Sequence, residues 1–332
     1  RQAFENSVIL NSAIGGSTNA PIHINAIARH VGVKLEIEDW QKVGLGIPLL
    51  VNMQPTGKYL GEDFHRAGGV QAVMHTLLTA GKLHDSAITV DGKTVAENYA
   101  ETPTHDTDVI RTYNEPMLEN AGFVVLKGNI CDAAVMKTSV ISDSFRSQYL
   151  DKPGSKNVFE VRAIVFEGPE DYHARINDPQ LSIDVDCILV IRGCGPVGYP
   201  GSAEVVNMQP PDSLIRKGVT ELPTLGDGRQ SGTSGSPSIL NASPESAVGG
   251  GLALLKTGDM LRVDLNLGTM DVLLDETELR KRRDQLKTAV IENQTPWQEM
   301  YRSTVGQLSS GGIIELAAKY KKIRNTIPRH SH

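Results

Sequence analysis

Apolar and polar positions alternate with different periods in the two parts of the chain. In the first part the period is mostly helical. The turn Asn11-Ser-Ala-Ile-Gly-Gly-Ser-Thr-Asn19 leads into a predicted helix over 18–31. Ser17 or Thr18 is its expected N-cap, Pro21 sits in its first turn, and Gly32 ends it. Ile24, Ile27, Ala28 and Val31 recur at helical spacing and are expected to face a core. Residues 45–53 read as a buried strand. Residues 62–67 and 70–80 read as two helices broken at Gly68-Gly69, and 88–95 holds an Asp91-Gly92 turn of hairpin type. Up to about Lys127 this is α/β material.

From Asn129 the pattern shifts to short strands separated by turns. Strands are expected over 133–137, 158–166, 187–192, 260–265 and 270–274. Helices are expected over 170–176, over 276–286 with Asp275 as cap, around Trp297, and over 313–320. The fold class is therefore α/β. The end of an α/β domain over 1–128 precedes a β-rich, barrel-like carboxy-terminal domain over 129–332 with peripheral helices.

One stretch breaks both patterns: Gly226-Asp-Gly-Arg-Gln-Ser-Gly-Thr-Ser-Gly-Ser-Pro-Ser238. Its glycines let the backbone bend and approach a ligand closely, and its hydroxyls both donate and accept. Asp227 and Arg229 form one acid–base pair within it. Two readings stand. It is either a loop around a polyhydroxylated or anionic molecule, or a plain Gly/Ser linker. The apolar flanks, Ser238-Ile239-Leu240 and the run from Gly251 to Leu255, favour the loop.

Composition narrows the function. A length of 332 residues favours two domains, and 39% apolar with 22% charged residues describes an ordinary globular chain. A formal charge of −6 leaves no basic footprint for nucleic acid. No stretch has the apolar length of a bilayer span. The three cysteines are odd in number and far apart, which argues against a secreted disulfide framework, and the expected location is the cytoplasm. The chain opens Arg-Gln-Ala-Phe-Glu-Asn without an initiator Met, so a piece of a longer protein is expected.

Several motifs carry candidate chemistry. Gly193-Cys-Gly-Pro-Val-Gly198 has the spacing of a dinucleotide phosphate turn and follows an apolar strand. Pro196 inside the turn and Tyr199-Pro200-Gly201 where a helix should run argue against that reading. Glu204 precedes a helical-looking run, Val205-Val-Asn-Met208. There it either offsets a helix dipole or binds a hard divalent cation. Cys131, Cys187 and Cys194 lack paired spacing, so neither zinc nor iron–sulfur is expected on them. Cys187 reads as buried and inert, and Cys194 as a reactive thiol or a small packing residue. His65 reads equally well as a site residue or as part of a solvated helix face.

Together these stretches resemble the dihydroxy-acid dehydratase and phosphogluconate dehydratase family. The resemblance rests on Ser12-Ala-Ile-Gly-Gly-Ser-Thr-Asn19, Gly57-Lys-Tyr59, Glu62-Asp-Phe-His-Arg-Ala-Gly-Gly69, the segment from Gly193 to Gly201 with Glu204, and Asp227-Gly-Arg-Gln-Ser-Gly232. The wording from Gly228 to Pro244 is similar to the sugar-acid branch, pentonate dehydratases acting on arabinonate or xylonate. The resemblance implies loss of water from a 2,3-dihydroxy acid to give a 2-keto-3-deoxy acid. It implies a [2Fe–2S] cluster as Lewis acid on the C3 hydroxyl, Mg²⁺ holding the carboxylate and C2 hydroxyl, and a serine alkoxide as base. The matching serine is Ser231, with Thr233 beside it. Glu204 matches a Mg²⁺ ligand, and Ser17, Thr18, Arg229 and Gly232 are candidates for contact with substrate.

The family's cluster cysteines do not match this chain's three, so the cluster ligands and remaining Mg²⁺ ligands are expected upstream. The isolated chain is expected to be inactive. A homodimer or homotetramer with a small sugar-acid substrate is expected, with neither nucleic acid nor membrane as partner. The alternatives are a nicotinamide-dependent oxidoreductase using Gly193 to Gly198, and a non-catalytic fragment.

Overall fold

The computed structural model describes residues 1–232, 234–235, 237–287 and 291–320. Six helices come first: α1 (Gln2–Ala13), α2 (Ala20–His30), α3 (Ile37–Gly44), α4 (Gly61–Arg66), α5 (Gly69–Thr79) and α6 (Val95–Tyr99). Eight strands follow: β1 (Phe123–Gly128), β2 (Cys131–Lys137), β3 (Val158–Glu167), β4 (Cys187–Arg192), β5 (Thr224–Gly226), β6 (Ser238–Ser243), β7 (Met260–Asp264) and β8 (Thr269–Val272). They close a mixed barrel in the order β1-β2-β6-β5-β4-β3-β7-β8. The α/β class and the barrel are as the residue patterns foretold. The barrel's first strand lies on the amino-terminal side of the boundary expected at 128/129.

At β4, β5 and β6 the barrel is buried on both faces, which is why β4 reads as an unbroken apolar run, whereas β7 and β8 alternate between buried and more exposed residues. Val124, Met136, Val190, Leu225 and Ile239 fill its interior. Phe123, Val135, Leu189 and Leu240 point outwards and pack against Val8, Ile37 and Trp40 of the helical layer. A separate core beneath α1 and α5 holds Ile9, Leu50, Val73, Leu77 and Ile110.

Strand direction positions the site. β3, β4, β5 and β6 run parallel, so the carboxyl ends of β4 and β5 lie side by side at one rim. The chain after β4 is the Gly193 turn, and the chain after β5 is the polar loop. Because β6 is parallel to β5, the polar loop must return along the outside of the barrel to Ser238. That return lays it against the helical layer. The stretch is a crossover, not a linker.

Several local expectations change. Val205-Val-Asn-Met208 is not helical: Val206 and Met208 are buried while Asn207 is exposed, the two-residue period of extended chain. The amide of Val206 donates to the carbonyl of Arg229. Ile27 and Val31 are more than half exposed, whereas Pro21, Ile22, Asn25 and Ala28 form the buried face of α2. Asn19 takes the N-cap position of α2, and Ser17 instead accepts from the Asn19 amide at 3.1 Å. Of residues 45–53, the first three turn out of α3 and the rest pair only through single bridges, at Leu49, Val51 and Met53. The Asp91-Gly92 hairpin is reduced to the bridge Ile88–Thr94, because the Thr94 capping box starts α6 at Val95. Within 313–320 only Ala317–Tyr320 makes a 3₁₀ turn.

Trp40 fastens the helical layer to the barrel. It is fully buried, packs against Phe123 of β1 at 5.9 Å between ring centroids, and donates from Nε1 to Asn25 Oδ1 at 2.9 Å. Trp40→Phe keeps an aromatic ring but loses the pyrrole N–H and strands the buried Asn25 Oδ1, so stability should fall by about 1–3 kcal/mol. Urea denaturation followed by circular dichroism reads that difference.

Candidate active site

The site is built from three segments distant in sequence, and Asn19 joins them. Its side-chain amide donates to the Glu204 carboxylate and, at 3.1 Å, to the Gln230 backbone carbonyl. The turn before α2, the end of the Gly193 segment and the polar loop therefore meet at one buried side chain. Asn241 of β6 reinforces the junction. Its amide donates to Thr18 O at 3.3 Å, and its backbone N–H to the carbonyl of Gly228. Asn241 holds φ near +59°, a conformation asparagine tolerates better than most residues.

Gly232 lies directly on Ser17: a methyl at Gly232 would sit 2.6 Å from Ser17 Oγ. Only a residue without a side chain allows that approach. Ser231 is half-buried beside it, and the Ser231 carbonyl accepts from the Ser234 amide. Gln230 is buried, donating from its side chain to Ser238 Oγ at 3.0 Å, which anchors the loop where it rejoins the barrel. Thr233 lies outside the described residues. Ser17, Thr18, Glu204, Arg229, Ser231 and Gly232 thus fall on the interlocked segments. Sequence reading singled out neither Asn19 nor Asn241 within them; their isolated amides carry no spacing signal.

Asp227 and Arg229 do not pair with each other. Asp227 is buried and accepts from the amides of Gly193, Cys194 and Ser246 and from Ser246 Oγ, at 2.6–3.1 Å. Arg229 donates from Nε to the Ser202 carbonyl at 2.6 Å, with Nη1 3.4 Å from His23 Nε2. The acid closes the rim between β4 and β5, and the base ties the loop to the segment carrying Glu204.

The Gly193–Gly198 turn resembles a phosphate loop whose anion is already supplied by the protein. Asp227 takes the Gly193 and Cys194 amides, and Glu245 takes those of Val197 and Gly198 at 2.8–3.1 Å. Pro196 has no amide to offer. Burial pushes the Glu245 carboxyl up, and the two amides and Gln307 pull it back. A methyl at Gly195 would stand 2.5 Å from a Glu245 oxygen, so the acid fills the cradle. The dinucleotide reading of this turn is not favoured on these grounds.

The cysteines are packing residues. Burial raises the thiols of Cys131 to about 12 and Cys187 to about 11, and pushes Cys194 further up with help from the Asp227 charge. All three are buried and free, with none paired to another. Among the described residues no group of three or more His, Cys, Asp or Glu is arranged to hold a metal. His65 is exposed on α4, beside an exposed Arg66–Glu62 pair. Glu204 begins no helix, so dipole compensation does not explain it. It is exposed at the seam and held by Asn19, whose Oδ1 is a buried oxygen without a hydrogen-bond partner. Two oxygen donors at one place suit a hard cation. Among the described residues no helix is long and apolar enough to cross a membrane.

The role of Asp227 makes a prediction. Asp227→Asn turns an NH₂ towards donors at a buried junction and should cost on the order of 3 kcal/mol. Chemical denaturation measures the loss. Calorimetric titration of the unaltered chain with NADH should show no heat of binding, because the amides of the turn are occupied.

Comparison with known proteins gives the same assignment to both parts of the chain. The sequence profile of the carboxy-terminal domain of dihydroxy-acid/6-phosphogluconate dehydratases matches residues 108–312. The amino-terminal domain profile matches residues 1–98. D-xylonate dehydratase of Caulobacter vibrioides is 59% identical over the whole of this chain and 56% of its own length. L-arabinonate dehydratase of Rhizobium leguminosarum bv. trifolii is 43% identical over 85% of this chain and 47% of its own. A dihydroxy-acid dehydratase of Acidothermus cellulolyticus is 36% identical over 94% of this chain and 53% of its own. The chain spans about half the length of the curated relatives it matches. With both domain profiles matched and a relative of this identity aligned along its full length, the chain belongs to the dihydroxy-acid/6-phosphogluconate dehydratase family.

Proposed function

We propose that the whole protein is a hydro-lyase that dehydrates a sugar acid, an aldonate such as xylonate or arabinonate, to a 2-keto-3-deoxy acid. The observation that carries this reading is the junction at Asn19, which brings Glu204 and the Ser231 loop to one seam. The substrate class is taken from the D-xylonate and L-arabinonate dehydratases that this chain resembles at 59% and 43% identity.

The residues of this chain divide the work as follows. The C2 proton of an aldonate is weakly acidic, so its removal needs a strong base and neutralised charge nearby. Ser231 is the proposed base on C2, and Thr233 is its proposed companion. Ser17, Thr18 and Gly232 form the wall that orients the polyol, with hydroxyl and backbone groups suited to sugar hydroxyls. Arg229 contributes by fixing the loop to the Ser202–Glu204 segment, and its remaining guanidinium edge lies near His23.

Glu204 and Asn19 Oδ1 fit a Mg²⁺ as oxygen donors, and Glu204 is its proposed ligand. Bound there, Mg²⁺ supplies charge neutralisation to the substrate carboxylate. The [2Fe–2S] cluster does not fit the three buried thiols of this chain, which belong to no cluster of ligands among the described residues. A homodimer or homotetramer in the cytoplasm completes the reading.

The test is a panel of pentonates and hexonates offered to the full-length protein, with keto acid detected as its semicarbazone. Formation of a 2-keto-3-deoxy acid from at least one pentonate is expected, and none from any aldonate refutes the assignment. Ser231→Ala should lower kcat by about 10²–10⁴-fold without loss of fold. Gly232→Ala pushes the loop off Ser17 and should lower kcat/KM by about 10²-fold, as misplacement near 1 Å does. Glu204→Gln should raise the Mg²⁺ concentration needed for half-maximal rate.

A further inference from the structure

One buried charge at the seam has no partner. Lys137 ends β2, is 5% exposed, and its Nζ makes no hydrogen bond. An ammonium in such a place is costly unless it is paired or gives up its proton.

Its position follows from the pleat and the register. Ala134 and Met136 point into the barrel, while Ala133 and Val135 point to the seam, so Lys137 follows on the seam side. β2 pairs with β6 through Val135–Leu240 and Met136–Ile239. One step further sets Lys137 beside Ser238, where the polar loop rejoins the barrel. Ser238 accepts from Gln230, the neighbour of Ser231 in sequence. Beyond Lys137, Ser139 faces the turn before α2: a methyl at Gly15 would lie 3.6 Å from Ser139 Oγ. The Lys137 side chain therefore leaves β2 beside Phe123 of β1 and next to Ser238 at the root of the polar loop, two residues before Ser139 reaches the Gly15–Asn19 turn.

The charged groups on the surrounding elements are committed elsewhere. Asp227 holds the Gly193, Cys194 and Ser246 amides, Arg229 holds Ser202, and Glu204 holds Asn19. Glu245, after β6, holds Val197 and Gly198. On β1, Lys127 pairs with Glu38 at the far end of the strand, and Lys58 lies over the Tyr59 ring. No acid draws Lys137 back towards its charged form, so burial alone lowers its pKa to about 8. Near neutral pH a useful fraction is the free amine, a state arginine never reaches.

We propose that Lys137 is the proton acceptor that converts Ser231 into a base. The inference rests on Ser231 being the base on C2, as proposed above. The neutral amine takes the Oγ proton, so an N–H bond forms as the O–H bond breaks. The alkoxide then takes the C2 proton, restoring the serine and leaving the electron pair on C2. That pair forms the C2=C3 bond as the C3 hydroxyl departs with its own electrons. The proton on Lys137 is released to solvent, and the departing hydroxide takes a proton from solvent to complete the released water. Lys137 and Ser231 return to their starting states, and the enol tautomerises to the keto acid. Lys137 acts through Ser231 and is a positioning and proton-accepting group, not a contact of the substrate.

The experiment follows kcat and KM of the full-length protein over about pH 6 to 10, with Lys137→Met, Lys137→Arg and Ser231→Ala alongside. Wild-type kcat should rise with pH through a midpoint near 8. Lys137→Met should lose about 10²-fold or more in kcat with little change in KM, and the rise should vanish. Lys137→Arg, charged but unable to accept a proton, should be as slow. The folded state resists protonation of Lys137, a cost present below about pH 8 that fades as pH rises. The Met variant should therefore melt no lower than wild type at pH 7. In the chain itself, ¹³Cε-labelled lysine should show one resonance titrating near 8 that is absent in Lys137→Met and shifted in Ser231→Ala. Near-normal rates in either Lys137 variant, with Ser231→Ala inactive, overturn this inference alone. An active Ser231→Ala overturns the reading of Ser231 and this inference with it. Should the variants not fold, a wild-type spectrum with no lysine titrating below about pH 9 overturns it.

Discussion

The Asp227 carboxylate is the contact on which the rest of the site depends. β4 and β5 are parallel neighbours, so their carboxyl ends emerge together, and nothing in a parallel ladder ties the following loops to each other. A single buried acid does so by accepting four hydrogen bonds from Gly193, Cys194 and Ser246. Charge-assisted hydrogen bonds in a buried setting are the strong kind. With that rim closed, the segment leading to Glu204 and the segment leading to Ser231 leave the barrel from one point.

A second acid completes the arrangement and explains a misleading motif. Glu245 occupies the amides of Val197 and Gly198 that a dinucleotide's phosphate would need. The glycines of the turn are there for close approach, but the group approached is a side chain of the same protein. A glycine spacing reports that a backbone wraps tightly around an anion. It does not report whose anion it is.

The polar loop owes its function to topology as much as to composition. Two parallel strands need a crossover, and here the crossover is the loop itself, laid over the outside of the barrel. That path puts Gly232 on Ser17 and Gln230 against Asn19, so the helical layer and the barrel share one seam. Trp40 against Phe123 holds the layers in register beneath it. The seam is where polar atoms without partners gather: Asn19, Lys137, Ser139 and Asn241 each hold one.

The residue pattern by itself determined the class of the chain. Apolar runs over β2, β3 and β4, alternation over β7 and β8, the glycine break between α4 and α5, and the Asp275 cap are local signals, and local physics sets them. The co-linear motifs carried the family, because a shared site demands the same residue types in the same order. Tertiary structure alone decided the rest. β5 has only three residues, and β6 is buried throughout with serine and asparagine among its apolar residues, so neither shows a period of its own. Val205 to Met208 reads as a helix until the carbonyl of Arg229 claims the Val206 amide. Ile27 and Val31 have the spacing of a core face, yet the buried side of α2 is set by which residues meet the barrel. Asn19 and Asn241 are single polar residues whose roles depend on partners more than a hundred positions away, Glu245 depends on amides 47 and 48 positions before it, and Lys137 depends on having no partner. Hydrogen bonding and desolvation act between neighbours in space, and a linear chain records only neighbours in sequence.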